Sequence, residues 1–394
     1  MTRHDALFVR LCNRPIPRVL RMMHVARELG LRPLFVGAHR EAGLPAKDQW
    51  DGWEVHRIGP FFPLVNGTKA LLYVWSVFVY GWALFAKLLS CRPAVVHVSD
   101  FEVFWPARIY TALTRTPLIY NIHDNLSQRY QCPASAAAVL NMLEGLAAWS
   151  ATATVVPEPF RRTALPSWCR SNVHVVKNAP FDPGFRPPTA RADESRVNVL
   201  FAGWIDIGRG IRPLTEMVGK HEACHLILAG EGDAALVEES ASSTRVDYRG
   251  YLKNELVITE TESCDFVAAL YDPVRPINCF AASNKIAEAL AVGRPLIVNA
   301  EQEIAALLEK HDCAVIVPYA EATTLGPKLA ELRDNQVRYE AMCRRARDLY
   351  EEQYAWEIIL ESSVSLYAAA GVTQQQTPTI EVEDLEPVAI SRRA

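Results

Sequence analysis

The sequence predicts an α/β protein built from two Rossmann-like domains, each a doubly wound parallel sheet, facing a cleft. Three observations predict it. Short, near-continuous apolar runs recur along the chain, helical segments separate them, and the cycle repeats after a Pro-rich break near residue 180. Such runs read as parallel strands buried on both faces, and their alternation with helices argues for βαβ units.

In the first domain, Ala6–Leu11, Arg32–Ala38, Trp53–Ile58, Ala94–Ser99, Pro117–Ile122 and Ala153–Val156 are the strands. Pro17–Leu29 is a helix, with Val19, Leu20, Met23, Ala26 and Leu29 at core spacing. In the second, the strands are Val197–Ala202, His225–Ala229, Val246–Arg249, Phe266–Leu270, Pro295–Val298 and Ala314–Val317. Glu216–Lys220, Asn284–Ala291, Glu303–Lys310 and Pro327–Leu332 lie in helices, and the last helices run over Val337–Ala369. These readings give an N-terminal domain over 1–180, a Pro-rich polar linker over 181–195 and a C-terminal domain over 196–370. Residues 371–394 hold Gln374-Gln375-Gln376, acidic residues and few large apolar ones, so a disordered tail is expected there. The last helix is expected to cross back to the first domain. Ligands of open α/β sheets bind at the carboxyl ends of the strands, so a site is expected along the cleft.

The net charge of −4 hides an asymmetry. Residues 1–180 carry 20 Lys+Arg against 11 Asp+Glu, a net +9, while the remainder carries −13. A basic half of this kind faces anions, or is an unevenly charged solvated surface. Nucleic acid is not the expected partner, because the basic half lacks interleaved exposed aromatics and a recognisable binding module. The nine cysteines show no CxxC pair and no zinc spacing, and the start shows no signal-peptide core. Both fit reduced thiols in a cytoplasmic protein.

Four segments of the second half carry a more specific pattern. They are Phe201-Ala202-Gly203-Trp204-Ile205-Asp206-Ile207-Gly208-Arg209-Gly210, Ala229-Gly230-Glu231-Gly232-Asp233, Val246-Asp247-Tyr248-Arg249-Gly250-Tyr251 and Ser283-Asn284-Lys285 through Gly293-Arg294-Pro295. Their glycines allow close backbone approach to a phosphate, and a following helix start aims N–H groups at it. Arg209 offers a planar fork for phosphate oxygens. Lys285 stands at a helix start, and Glu288, three residues on, shares its face. The bland alternative is an ordinary helix ion pair and a surface arginine.

In order and spacing, these four segments resemble the GT-B glycosyltransferases, and more narrowly the large retaining family 4. The resemblance covers roughly residues 196–320; the first half shares the alternating pattern and Asn121-Ile122-His123-Asp124. It implies a nucleotide-sugar donor held by Gly203, Arg209, Gly210, Gly230, Asn284, Lys285 and Glu288, with Glu288 accepting from the ribose hydroxyls. It implies catalytic roles for His123, near the transferring sugar and its phosphate, and for Asp124 beside it. It also implies retention of anomeric configuration, with the leaving phosphate taking the acceptor proton. The sequence departs from the family at Trp204, where a basic residue is common, and at Phe280, where a second glutamate is common. It departs again in its first loop, Asn13-Arg14-Pro15-Ile16-Pro17-Arg18, which is not glycine-rich. No D-x-D motif lies between the domains, so no metal and no cofactor is expected, with cationic side chains acting in a metal's place.

Ala70–Ala86 is apolar throughout, between Lys69 and Lys87. It is shorter than the roughly 20 residues of a full span, and a span would split strands that share a sheet. A buried helix, a partner surface and a helix lying on the membrane remain; the last is favoured, with Trp75, Tyr73, Tyr80 and Trp82 as interfacial anchors and Arg14, Arg18 and Arg21 facing anionic headgroups. The expectation is therefore a glycosyltransferase at the inner face of the membrane, acting on a lipid-linked or membrane-proximal glycan acceptor in cell-surface polysaccharide or glycolipid synthesis. The alternatives are a sugar-nucleotide 2-epimerase of the same architecture and a non-catalytic glycosyltransferase-like subunit.

Overall fold

The structure is a computed structural model and describes residues 4–63, 70–129, 132–185, 187 and 196–372. Most of the expected linker and nearly all of the expected tail lie outside the described residues.

The first sheet has eight strands: β1 (Ala6–Val9), β2 (Pro33–Ala38), β3 (Lys47–Trp50), β4 (Trp53–Ile58), β5 (Val95–Ser99), β6 (Leu118–Asn121), β7 (Ala153–Val156) and β8 (Val173–Val175). Their order is β3-β4-β2-β1-β5-β6-β7-β8, with β3 antiparallel to β4. The helices are α1 (Pro17–Glu28), α2 (Ala70–Cys91), α3 (Phe104–Thr114), α4 (Leu126–Arg129), α5 (Ala134–Ser150) and α6 (Pro159–Thr163). The second sheet holds β9 (Val197–Ala202), β10 (Cys224–Ala229), β11 (Val246–Gly250), β12 (Phe266–Ala269), β13 (Leu296–Asn299) and β14 (Ala314–Val317). Its helices are α7 (Ile211–Lys220), α8 (Ala234–Ala241), α9 (Asn254–Ser263), α10 (Pro276–Cys279), α11 (Asn284–Val292), α12 (Ala305–Lys310) and α13 (Gly326–Asp334). Two further helices, α14 (Gln336–Gln353) and α15 (Trp356–Ala369), follow. The second sheet is parallel in the order β11-β10-β9-β12-β13-β14. That is the doubly wound order whose direction reverses between β9 and β12.

The chain divides into two compact units, residues 1–119 with 364–394, and residues 120–363. In the first, β1, β2 and β5 are buried along their whole length or nearly so, as parallel strands covered on both faces must be. His97 on β5 is 2% exposed, stacked 4.4 Å from Phe8 on β1 and 5.1 Å from Tyr367 on α15. Burial pulls its pKa down to about 3, so the ring sits in the core as a neutral aromatic plate.

The helix α1 starts at Pro17, whose missing N–H costs nothing at a first helical position. Arg18 and Arg21 are buried on the same side as Met22 and Val25, while Arg14 bonds Glu41 and lies over the Trp50 ring. The three arginines therefore present no exposed basic cluster, contrary to the sequence expectation. Long aliphatic stems let arginines share an apolar face, which residue type alone does not reveal.

The helix α2 is longer than its uncharged run. Tyr80, Leu84 and Leu88 are buried, four residues apart, and the Tyr80 hydroxyl donates to Val36 O at 3.2 Å. The opposite side is apolar and open: Leu71 is 84% exposed, Trp75 60% and Trp82 65%. It packs beside α3, where an added Cβ at Gly81 would crowd the Pro106 ring, and Trp105, Ile109 and Leu113 of α3 are exposed at four-residue spacing. One face thus anchors α2 in the unit and the other leaves large side chains uncovered.

In the second unit, Val199, Phe201, Leu226, Leu228, Phe266 and Ala268 form the sheet core, closed by Ile211, Leu214 and Met217 from α7. The helix α11 is buried from Lys285 to Val292. Arg347 on α14 braces it, donating to Ala291 O at 2.7 Å and to both carboxylate oxygens of Asp182 at 2.6 Å.

Candidate active site

The carboxyl ends of β9, β10 and β12 meet where the second sheet reverses direction. Gly203 follows β9 and Gly230 follows β10, and a Cβ added at Gly230 would overlap the carbonyl oxygen of Gly203. Beyond them Ile205 and Gly232 form a parallel bridge, and Trp204 between points outward, 62% exposed. Gly210 begins α7 at φ +71°, where an added Cβ would press on Leu270 just past β12. The strand ends are therefore in backbone contact, leaving a tight shelf of peptide groups.

Lys285 reaches this shelf from the start of α11. Its Nζ lies 3.6 Å from the centre of the Phe201 ring and 5.6 Å from that of Tyr271. It is 7% exposed, and among the described residues its Nζ has no hydrogen-bond partner. Burial drives its pKa well below the usual lysine value, the Arg209 charge pushes the same way, and Glu288 opposes. Arg209 also lies over Tyr271, 5.1 Å from the ring centre, with Nη1 3.4 Å from the hydroxyl. Asn284 Oδ1, at the same helix start, also has no hydrogen-bond partner among the described residues. Two cations share a partly dry site with no carboxylate bonded to Lys285, which is a site that favours an anion.

The loop carrying Arg209 is held from below. Asp206 Oδ1 accepts from Gly208 N at 2.9 Å and from Arg275 Nη1 at 2.8 Å, and Asn278 Nδ2 donates to Gly208 O at 3.2 Å. Phe201, Tyr271 and Arg275 are absent from the sequence-derived set. Tyr271 follows β12 as Gly203 follows β9, so the rule that flagged one strand end applies to the other.

His123 and Asp124 follow β6 in a second cluster of the same unit. Asp124 accepts from Arg161 Nη2 at 2.8 Å; the Arg161 guanidinium is buried, and among the described residues its Nε and Nη1 have no hydrogen-bond partner. Arg161 fixes the aspartate next to His123. Nothing in its local sequence signals this, because the contact joins residues 37 positions apart. A cavity of about 870 Å³ in this unit is lined by Ser127, Gln128 and Asn141 on one side and Pro276 and Phe280 on the other. Phe280 packs 6.4 Å from Phe160, ring to ring, so an apolar wall stands where the family often has a glutamate. Among the described residues, no group of three or more His, Cys, Asp or Glu side chains is placed to hold a metal ion.

Residues 15–179 match the family model for a glycosyl transferase 4-like domain, and residues 196–335 match that for glycosyl transferases group 1. The chain belongs to the GT-B glycosyltransferases. Among solved structures of this fold, sucrose-phosphate synthase from Thermosynechococcus elongatus aligns with a TM-score of 0.75 at 15% identity, over 93% of this chain and 98% of that one. HepE from Anabaena, in complex with UDP-glucose, aligns with a TM-score of 0.68 at 16% identity, over 93% and 100%. WaaG, a glycosyltransferase involved in lipopolysaccharide biosynthesis, aligns with a TM-score of 0.60 at 13% identity, over 92% and 99%. At these identities the likeness shows the fold. No curated protein matches the sequence. In this GT-B glycosyltransferase, then, Gly203, Arg209, Gly210, Gly230, Asn284, Lys285 and Glu288 gather around the reversal point of the second sheet, and His123 and Asp124 form the cluster with Arg161. Arg14, Trp75 and Trp82 belong to the other unit.

Proposed function

We propose that this glycosyltransferase moves a sugar, with retention of configuration and without a metal ion, from a nucleotide-sugar to a lipid-linked glycan at the inner face of the membrane, in cell-surface polysaccharide or glycolipid synthesis. The observation that carries the donor half is Lys285: a buried, unpartnered amine, 3.6 Å from an aromatic face and beside Arg209, at the strand ends where α/β sheets receive phosphates. In this reading Arg209 and Lys285 neutralise the diphosphate, and Glu288 takes the ribose hydroxyls. His123, aligned by its neighbour Asp124, orients the sugar, and the departing phosphate oxygen accepts the acceptor proton. HepE is a GT-B neighbour solved with UDP-glucose, which supports a donor of this class. A thermal-shift panel of UDP, GDP, ADP and their sugars tests it. One nucleotide should stabilise the protein, by about 2.7 kcal/mol at a hundred times its Kd, and Glu288→Ala should remove the effect. A panel in which no nucleotide shifts the wild type overturns the donor assignment.

The membrane half rests on the uncovered face of α2, where Trp75 and Trp82 are each at least 60% exposed. Aromatic side chains of this kind settle at the headgroup level. WaaG, another neighbour, serves lipopolysaccharide synthesis, which supports an acceptor at a membrane. The wild type should co-sediment with vesicles containing phosphatidylglycerol, and Trp75→Glu/Trp82→Glu should stay in the supernatant while melting as the wild type does. Equal recovery of both proteins in the supernatant removes this half and leaves the donor site standing.

A further inference from the structure

The first unit holds a small pocket of about 50 Å³, open to solvent, at the carboxyl ends of β2 and β4. Leu11, Ile58, Phe62, Val79 and Tyr80 give it apolar walls, and Arg40 is its cation. Arg40 is half-buried and, among the described residues, makes no hydrogen bond and no ion pair; the Tyr73 ring lies 5.9 Å from its guanidinium carbon. Burial weighs against its charged form, with Tyr73, Cys12, Tyr80 and Glu102 opposing. The nearby acid Glu102 accepts from the Tyr73 hydroxyl at 3.4 Å instead. His39 is engaged elsewhere, its Nε2 2.9 Å from Leu44 O. A guanidinium is always charged and keeps five donors, so one half-buried against apolar walls without a protein acceptor points to an anion that arrives from outside.

The wall of the pocket continues onto the outer face of α2. Trp75 lines the pocket and is also 60% exposed, in the row that carries Leu71, Phe78 and Trp82. A ligand seated here meets the Arg40 cation in the pocket wall and an apolar path over Trp75. Residues 1–119 carry 15 Lys+Arg and 8 Asp+Glu, a net +7, which favours an anionic head over a cationic one.

We propose that this pocket binds the phosphate head of a single-chain amphiphile, with Arg40 on the phosphate oxygens and the chain leaving over Trp75 along α2. The site would hold the carrier-lipid end of the acceptor, so the assignment of that ligand rests on the membrane-acceptor reading above, while the pocket chemistry stands on Arg40 and its walls.

Farnesyl monophosphate is the probe, titrated by tryptophan fluorescence, with farnesol, inorganic phosphate and dihexanoyl phosphatidylglycerol as the other arms. Farnesyl monophosphate should bind the wild type at least tenfold more tightly than each of the other three. Arg40→Gln should weaken it at least tenfold and leave farnesol unchanged. Ser76→Trp, which fills the pocket beside Trp75, should remove both. The nucleotide-induced thermal shift reports that each variant is folded. Farnesol binding as tightly as the phosphate would make the pocket merely apolar and overturn the proposal. Inorganic phosphate binding as tightly would make it a free-anion site, and dihexanoyl phosphatidylglycerol binding as tightly would make it a contact for bulk phospholipid; each overturns it too. Unchanged binding by Arg40→Gln does the same. If farnesyl monophosphate binds as expected but the wild type ignores vesicles, the membrane reading fails and the pocket survives.

Discussion

Lys285→Met should make the protein more stable and the enzyme nearly inactive. Both effects come from one amine held out of water beside Arg209, against Phe201, with no hydrogen-bond partner. Removing a buried charge in favour of an apolar side chain of similar length is worth about 1–2 kcal/mol, or a few degrees in Tm. The sign of the pH dependence follows. The folded-state pKa of Lys285 lies below the unfolded value, so the unfolded chain holds its proton more tightly. The destabilisation is complete below the folded pKa and fades as pH rises toward the ordinary lysine value of 10.5. The stability advantage of Lys285→Met should therefore be full below the folded pKa and narrow as the pH rises toward 10.5. Activity should move the other way: losing a cation aimed at the leaving diphosphate should cost at least about 10²-fold in kcat/KM, with loss of the nucleotide-induced thermal shift. A Lys285→Met enzyme with wild-type turnover would show that the amine has no part in donor binding.

Gly230→Ala should be the most damaging small change in the second unit. Gly230 sits at φ +136°, a conformation L side chains rarely adopt, and its new methyl group would overlap the Gly203 carbonyl oxygen. That neighbour is backbone and cannot rotate away. Strain and overpacking together should cost about 3–5 kcal/mol, read as a fall in the urea midpoint. Gly219, in α7, is the matched control: nothing lies within 4 Å of its added Cβ, so Gly219→Ala should be neutral or stabilise by up to about 1 kcal/mol. Equal midpoints for the two alanine variants would mean that β9 and β10 do not meet as described.

The strands that were legible are those with a strong one-dimensional signature. Ala153–Val156, Val197–Ala202 and Ala314–Val317 were bounded to the residue, because each is a mostly apolar run closed by polar or turn residues, and so was Trp53–Ile58, whose apolar and polar residues partly alternate. β3, Lys47–Trp50, was not legible: it is a charged edge strand, and only its antiparallel partner β4 makes it a strand. The glycines at the ends of β9 and β10 and Lys285 at the start of α11 were placed by spacing within one stretch of chain. Tyr271, Arg275 and Arg161 were not, since their roles depend on which loops the sheet order brings together. Arg18 and Arg21 misled for the converse reason: charge in a sequence reads as surface, and both are buried.

The ring of Tyr367 lies against His97, and the residues from Val364 onward group with the opening 119 rather than with the stretch that precedes them. As the chain leaves the ribosome, the unit that begins it stays open until its last helix emerges. The core of that unit is sealed only once Val364 and the residues after it have been made, so an early stop or a cleavage ahead of Val364 damages a unit whose strands lie more than 240 residues earlier.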